Sequence, residues 1–541
     1  MAFGPIKKLY IANRAEIALR IKRTADTLGI ACVLGVSEAD KEQSFAGEFE
    51  EKVVIGPPPA ALSYLAVNAV IDAALKSGCD AVHPGYGFLS ENYLFAEAVI
   101  KNGLRWVGPS AESIRLMGSK IEGRLRAKEA KVPTVPGTRG GLSDLELVKE
   151  SQKIGFPLIV KAVGGGGGRG MRVVRTLEEL KELLPRARGE ALKNFSSDDV
   201  FLERFLERPR HVEVQLLGDM AGTVVHLGTR DCSAQRRHQK LVEEAPAPFL
   251  RKEVRSKIER AAVAVAKTVG YYSTGTAEFL VEGDQFYFLE MNTRIQVEHP
   301  VTEMISGLDL IAEQIRVAEG KKLSFKQSQV RLKGHAIEFR INAEDPTQNF
   351  APSTGDIVDI EIPETMKGAS VRIDLGLRQG DVVTPFYDGL IGKIIVYAET
   401  RSAALRASCQ LLRLVRYRGP AINLDFHRWL LRTKIFNTEG IDIAFVGREF
   451  GVECLEDLAA AEAIDPQSER FISNESYHSV MYLRVKDNRG KDRQIEVVFD
   501  TENFVCREVG AGAGRGKKRQ KEAVASNSLK AAVDQLLEAI S

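Results

Sequence analysis

Two carboxylates twelve residues apart, Glu278 and Glu290, flank the pair Gly283-Asp284 in the segment TAEFLVEGDQFYFLEMN. The apolar runs on either side predict two strands joined by a tight turn. An antiparallel hairpin then carries both acids to one face, with Asn292 two residues on and on the same side. Oxygen-only ligands in this arrangement suit Mg²⁺ or Mn²⁺ bridging nucleotide phosphates, not zinc. Glu290 stands between Leu289 and Met291, where an uncompensated charge is costly; an ordinary exposed glutamate is the alternative. Immediately downstream, Arg294, Gln296 and Glu298 alternate with Ile295 and Val297, which predicts that the three polar side chains share a face. An arginine fork, an amide and a carboxylate together can hold a small planar anion and take a proton from it, a description that bicarbonate fits.

A second cluster precedes these acids. The run Gly164 to Gly168 is followed by Arg169-Gly170 and MRVVR. The glycines formally contain G-x-G-x-x-G, but a dinucleotide fingerprint must open a helix, and a short β-branched strand follows instead. No Gly-Lys-Ser/Thr makes it a P-loop. What remains is a turn without side chains whose backbone N–H groups can close over phosphate oxygens, with Lys161 before it and Lys120 in MGSKIEG as candidate cations. The segment RDCSAQRRHQK supplies Gln235, Arg236, Arg237, His238 and Lys240. His238 has no metal-like partner one helical turn away, so it reads as part of a polar network.

These residues need elements to hold them. From 6 to 110, short apolar runs alternate with amphipathic stretches, which predicts a mostly parallel sheet covered by helices, and Gly29, Gly78 and Gly103 fall where left-handed helix caps favour glycine. Between about 132 and 206, two strands around the glycine turn, with a helix before and after, predict a small α+β lid. Longer alternating strands follow, expected to form an antiparallel sheet with one wet face, and run to about 450. The last ninety residues suggest strands at YHSVMYLRVKD and DRQIEVVFD, a Gly/Lys-rich linker and a terminal amphipathic helix.

Composition excludes several classes. The 541 residues allow three to four domains at roughly 150 residues each. Lys and Arg number 75 against 73 Asp and Glu, which argues against a nucleic-acid coat. No apolar stretch is long enough to span a membrane, the first residues lack a secretory pattern, and six scattered cysteines without a C-x-x-C pair suggest reduced thiols. A cytoplasmic protein is expected.

The segments VHPGYGFLSEN, GGGGGRGM, ERPRHVEVQ, RDCSAQRRHQK, EFLVEG, FLEMNTRIQVEHPVTE and EFRINAEDP, in this order, closely resemble biotin carboxylase, the ATP-grasp component of biotin-dependent carboxylases. The resemblance covers about residue 5 to about 450. It implies an α/β and α+β ATP-grasp fold: an N-terminal domain over 1–118, a lid over 132–206, a C-terminal domain over 207–450, and an extension over 451–541 that is either an assembly module or a poorly ordered tail. It implies that ATP phosphorylates bicarbonate to carboxyphosphate and that the CO2 released is captured by N1′ of biotin on a carrier protein.

Carried over residue by residue, Lys120, Lys161, Gly165, Gly166, Gly167 and Gly168 hold ATP phosphates. Glu203, Leu206 and His211, with Gln235 and His238, belong to the nucleotide side, and Glu278, Glu290 and Asn292 to the metal. Lys240, Arg294, Gln296, Val297 and Glu298 match the bicarbonate site, with Glu298 as general base. Arg340 matches the arginine that stabilises the biotin enolate, and Tyr86 lies where the family contacts biotin. Three positions depart from the family pattern: Ala15 replaces a usual glycine, Arg204 a lysine and Phe205 a tyrosine.

The chain contains no A-M-K-M biotinylation tetrapeptide, so the resemblance implies a separate biotin carboxyl carrier protein and a carboxyltransferase, with a homodimer favoured. An acyl-CoA carboxylase subunit is the first reading and a pyruvate or 2-oxoacid carboxylase subunit the second. Another ATP-grasp ligase, or a catalytically silent scaffold, are readings from other classes; the RIQVEH and EFRINAEDP segments and the retention of Glu290, Arg294 and Lys240 argue against them.

Overall fold

A computed structural model describes residues 4–163, 172–195, 197–455, 458, 479–486, 492–500, 503–509 and 524–526. The chain divides into two compact units. One comprises Met1–Glu344, Pro352–Asn423 and Gly440–Glu449, the other Asp345–Ala351, Leu424–Glu439 and Phe450–Ser541.

The first unit begins with five parallel strands, β1 (Lys8–Ile11), β2 (Ala31–Ser37), β3 (Glu51–Gly56), β4 (Ala81–His83) and β5 (Arg105–Trp106), in the order β3-β2-β1-β4-β5. The connecting helices are α1 (Ala15–Thr27), α2 (Ser44–Gly47), α3 (Val67–Lys76) and α4 (Tyr93–Lys101). The expected parallel sheet is present because its short strands are apolar on both faces and its helices each bury one stripe, as Val70, Ile71 and Ala74 of α3 do against Tyr10 and Val33. Gly29, Gly78 and Gly103 take φ of 70°, 65° and 79° and end their helices as predicted. The strand order reverses between β1 and β4, the place where an open α/β sheet leaves a crevice beyond its carboxyl ends. Asn13, just after β1, ties the ends of β1 and β4 together by donating Nδ2 to the carbonyls of Pro84 and Tyr86, each at 2.7 Å.

Helices α5 (Ala111–Gly118) and α6 (Lys120–Glu129) lead to a three-stranded antiparallel sheet of β6 (Leu158–Ala162), β7 (Arg172–Val174) and β8 (Val200–Arg204), ordered β7-β6-β8. Helices α7 (Asp144–Ile154) and α8 (Leu177–Phe195) pack on it through Leu147, Leu180 and Leu184 against Leu158, Val160, Val174 and Leu202. Residues Gly165 to Gly168, expected to cover phosphates, lie outside the described residues.

The largest element is a nine-stranded sheet. Its members are β9 (Arg210–Gly218), β10 (Val224–Arg236), β11 (Gln239–Ala245), β12 (Ser273–Glu282), β13 (Gln285–Asn292), β14 (His335–Asn342), β15 (Thr365–Met366), β16 (Ala369–Leu375) and β17 (Leu390–Ala398). Their order is β13-β12-β9-β10-β11-β14-β17-β16-β15. Helix α9 (Lys252–Thr268) covers one face, where Val212, Val214 and Leu216 meet Val254, Ile258 and Val265. The opposite face was expected to be wet. It is buried instead: His211, Glu213 and Gln215 alternate with those apolar residues as a half-exposed strand should, yet all three are buried. Glu213 and Gln215 tolerate burial because Arg230 bonds both and Lys240 bonds Glu213. Helices α10 (His299–Ser306), α11 (Leu310–Ala318) and α12 (Arg401–Leu414) complete this part.

In the second unit, the two predicted strands are Ser479–Lys486 and Asp492–Asp500. They pair antiparallel and continue through Asn503–Val509 to Val524–Ser526 as a four-stranded sheet. The expected linker and terminal helix lie outside the described residues.

Candidate active site

The hairpin of β12 and β13 turns at Gly283-Asp284, with Gly283 at φ 59°, and its register pairs Glu278 directly with Glu290. The predicted juxtaposition of the two acids is therefore present. Asn292 donates Nδ2 to Glu278 Oε1 at 2.8 Å, and its Oδ1 accepts from Arg294 Nη2 at 3.0 Å. Glu278 also accepts from Gln296 Nε2 and Lys240 Nζ, each at 3.0 Å, and stands 3.1 Å from His211 Nε2. Burial opposes its ionisation, but Lys240 and then His211 hold it well below the usual carboxylate range. Glu290 behaves oppositely: burial, then the charge of Glu278, pushes it up, with Lys120 as the leading opposing cation. Two facing carboxylates and an amide oxygen, one acid short of positive charge, fit a hard divalent cation.

The segment after Asn292 was expected to continue as a strand. It does not: β13 stops there, and the chain bends into α10, whose cap is Glu298 and whose first turn holds Pro300. Proline at the start of a helix is pre-set for that bend. The turn still gathers the predicted residues, by folding rather than by pleat. Glu298 accepts from Lys240 Nζ at 2.6 Å through Oε1 and from Arg340 Nη2 at 2.8 Å through Oε2. Burial disfavours its charge, yet Lys240, Arg340 and Arg230 keep it well below the ordinary carboxylate value. Gln296 Oε1 accepts from Arg230 Nη2 at 2.7 Å, and the Val297 carbonyl accepts from Lys393 Nζ at 2.7 Å. Arg294 donates Nε to Glu91 at 2.8 Å.

Lys240 reaches three carboxylates, Glu213 at 2.7 Å, Glu278 at 3.0 Å and Glu298 at 2.6 Å. Burial works against its charge, but these acids drive it well above the usual lysine range. The ligand atoms of His211, Glu213 and Glu278 lie within 4.8 Å of one another, as do those of Glu213, Cys232 and Glu298. The Lys240 ammonium already supplies positive charge to both groups, so neither resembles an open zinc site.

Of the residues expected to contact nucleotide, Lys161 ion-pairs with Glu203, a buried residue of β8, and Arg124 ion-pairs with the same carboxylate. Leu206 is buried nearby in sequence, and Lys120 begins α6 behind the Ser119 cap. His238 and Arg237 form the two-residue turn between β10 and β11, at φ 69° and 48°. Partial desolvation, then His211, Lys161 and Lys120, hold the His238 imidazole below its usual range. Gln235 turns its Nε2 to the carbonyl of Cys232, 3.3 Å away on its own strand. Tyr86 is placed by its carbonyl on Asn13, and it is Glu91, further along the same loop, that joins this loop to the site through Thr293 N at 3.0 Å and Arg294.

Four contributors were not anticipated: Glu213, Arg230, Glu91 and Lys393. Arg230 is wholly buried and bonds Glu213, Gln215 at 2.6 Å, Thr302 at 3.0 Å and Thr276 at 3.1 Å, besides Gln296. The available signal was the strict alternation of charge with aliphatic residues in RHVEVQLLG, which reads equally well as a solvated face.

Known proteins show the same organisation. Residues 5–114 match the biotin carboxylase N-terminal domain, 119–326 the ATP-binding domain of the carbamoyl-phosphate synthase L chain, and 338–448 the biotin carboxylase C-terminal domain. The biotin carboxylase of Haemophilus influenzae is 47% identical over 449 residues, 83% of this chain and 99% of that protein. The crystal structure of a biotin carboxylase complex with a β,γ-ATP from Campylobacter jejuni superposes with a TM-score of 0.77 at 40% identity, covering 82% of this chain and 99% of that one. The biotin carboxylase domain dimer of 2-oxoglutarate carboxylase from Hydrogenobacter thermophilus, in complex with MgADP, ADP and bicarbonate, gives 0.76 at 41% identity over 82% of this chain and 98% of that one. The chain belongs to the biotin carboxylase family and is an ATP-dependent ligase with the ATP-grasp fold.

Proposed function

We propose that the chain carboxylates biotin on a separate carrier protein, using ATP and bicarbonate, as a subunit of an acyl-CoA carboxylase. The observation that carries this is the double engagement of Glu298, whose oxygens face Lys240 and Arg340 separately. When bicarbonate enters and shares these cations, Glu298 is released to take its proton, and the dianion attacks the γ-phosphorus of ATP, displacing ADP and forming carboxyphosphate. Carboxyphosphate breaks into CO2 and phosphate; the phosphate takes the N1′ proton of biotin, and the resulting enolate, its oxygen facing Arg340, captures the CO2 through N1′. Arg294, Gln296 and the Val297 backbone orient the bicarbonate. Tyr86 is assigned to biotin.

Glu278, Glu290 and Asn292 would hold Mg²⁺ or Mn²⁺, which supplies charge neutralisation for the transferring phosphoryl group. Lys120, Lys161 and Gly165 to Gly168 are assigned to ATP phosphates, and Glu203, Leu206, His211, Gln235 and His238 to the nucleotide pocket. The working divisions are an N-terminal domain to 118, a lid over 132–206, a C-terminal domain over 207–450 and an assembly extension beyond. A homodimer, a carboxyltransferase partner and a cytoplasmic setting complete the reading. The dimeric relative from Hydrogenobacter thermophilus and the buried thiols of Cys79 and Cys232 support it, and among the described residues no helix is long and apolar enough to cross a membrane.

That relative works within a 2-oxoglutarate carboxylase, so a 2-oxoacid acceptor is the second reading. The test is transfer of isotope-labelled bicarbonate to free biotin by the purified chain with MgATP, followed by identification of co-purifying subunits. Acid-labile label on biotin is expected. No labelled biotin, with the chain folded and nucleotide bound, overturns the proposal.

A further inference from the structure

Under α10, two glutamates meet that the reaction scheme leaves unused. Glu243 of β11 and Glu338 of β14 are direct register partners in an antiparallel pair, so their side chains leave the same face of the sheet. Neither has any exposure to solvent. Arg340, two residues along β14 on the same face, donates Nε to Glu243 Oε1 at 2.6 Å. The other oxygen of Glu243 and both oxygens of Glu338 are buried without a hydrogen-bond partner. Buried carboxylate oxygens in that condition strongly disfavour charge on both acids at once.

The groups facing the pair point the same way. Lys393 of β17 stands opposite Arg340 in register, but its ammonium is drawn to the Val297 carbonyl at 2.7 Å and to Glu16 of α1 at 3.2 Å. Glu298 and His299 approach from the start of α10, and burial, then Lys393, keeps the His299 imidazole well below its usual range. On the opposite face, Arg401 of α12 and His335 serve Glu244. Arg340 and Lys393 therefore face five acids, Glu16, Glu243, Glu298, Glu338 and Asp374, the last in register with Lys393 on β16; Glu298 is held ionised, and so, against its burial, is Asp374, chiefly by Arg372. Burial pushes Glu243 up to about 7 and Glu338 well above the carboxylate range.

We infer that Glu243 and Glu338 keep at least one proton between them at working pH and are positioning residues for Arg340. Glu243 fixes the guanidinium through Nε, and a proton on Glu338 gives the unpartnered Oε2 of Glu243 a donor across the strand pair. Loss of that proton adds a buried negative charge that competes with Glu298 for Arg340. The catalytic consequence rests on the biotin carboxylase chemistry above; the protonation itself does not.

The test is Glu338→Gln in the full chain, read three ways. Infrared difference spectra at neutral pH should show a carboxylic acid carbonyl band in the parent that the variant lacks. Thermal unfolding from about pH 5 to about pH 8.5 should show the variant gaining on the parent as pH rises. The sign follows because an acid whose folded pKa is raised stabilises fully below its unfolded value and loses that contribution as pH climbs towards the folded one, whereas an amide has nothing to lose. The alkaline limb of kcat/KM for biotin should move to higher pH, where a purely structural defect would lower the whole profile without moving it.

An ionised Glu338 paired with Lys393 predicts the reverse: no band lost, and a variant that is destabilised at every pH or does not fold. Either result overturns the inference. If the band and the stability trend are found but the limb does not move, the positioning role is wrong. Absence of biotin carboxylation in the parent sinks the functional reading while leaving the first two arms to judge the proton.

Discussion

Glu298 and Lys240 meet at 2.6 Å, and that ammonium also reaches Glu213 and Glu278, so one buried cation holds together three acids from different elements. Removing one partner of such a cluster leaves uncompensated buried charge, at a cost of about 3–5 kcal/mol. Lys240→Met should therefore lower stability by that order in urea unfolding and abolish bicarbonate-dependent ATP cleavage. A variant as stable as the parent would show that the cluster is not electrostatically closed.

Arg340→Ala separates the two half-reactions. Because Arg340 engages Glu298 through only one oxygen, ATP cleavage should fall modestly, while carboxyl transfer to free biotin should fall by roughly 10²–10³, the usual loss for a fixed charge aimed at a developing oxyanion. Equal losses in both assays would remove the distinction between the residues.

Glu290→Gln removes one side of the proposed metal shell. The apparent affinity for MgATP should drop by about 10–100-fold, measured by titrating free Mg²⁺ at fixed ATP. In the absence of nucleotide the variant should be at least as stable as the parent, because burial and Glu278 already push the native carboxyl towards its neutral form.

Glu244, on the sheet face opposite Glu243, is ion-paired with Arg401 at 2.7 Å and bonded to His335 at 2.8 Å. Burial opposes its charge, but these partners bring it down to about 2 from 4.5. A depressed pKa contributes stability that is present above the unfolded value and lost as pH falls through the folded one. Glu244→Gln should thus cost on the order of 3 kcal/mol at neutral pH, with the deficit closing between about pH 4.5 and about pH 2. A deficit that does not change with pH would assign the loss to packing alone.

Ala15 opens α1 at φ 54°, a left-handed conformation that penalises any Cβ. Ala15→Gly should raise stability by about 0.5–1 kcal/mol, the relief of strain less the added backbone entropy. Thermal unfolding measures it, and a loss of stability would mean the methyl group's packing outweighs the strain.

The parts of the site that could be read in the sequence are those that local geometry dictates. A Gly-Asp turn between two apolar runs fixes which residues of the hairpin oppose, so Glu278 and Glu290 were placed together without knowledge of anything distant. The helix caps at Gly29, Gly78 and Gly103 followed from the same local logic. What failed was local pattern without its covering layer. The alternation in β9 predicted a wet face because nothing in the strand reveals that Arg230, Lys240 and α10 close over it. Arg294 to Glu298 looked like strand because its alternation is genuine, while the Pro300 bend that overrides it lies just beyond. Glu91 and Lys393 were missed because their partners, Arg294 and Val297, are about two hundred and one hundred residues away in the chain.

The claim that Glu298, kept ionised by Lys240 and Arg340, takes the proton of bicarbonate is tested most directly by Glu298→Gln. The rate of bicarbonate-dependent ATP cleavage, with and without free biotin, is compared with that of the parent at matched MgATP occupancy. A loss of at least about 10²-fold with nucleotide binding retained is the predicted result; cleavage at the parental rate would contradict it.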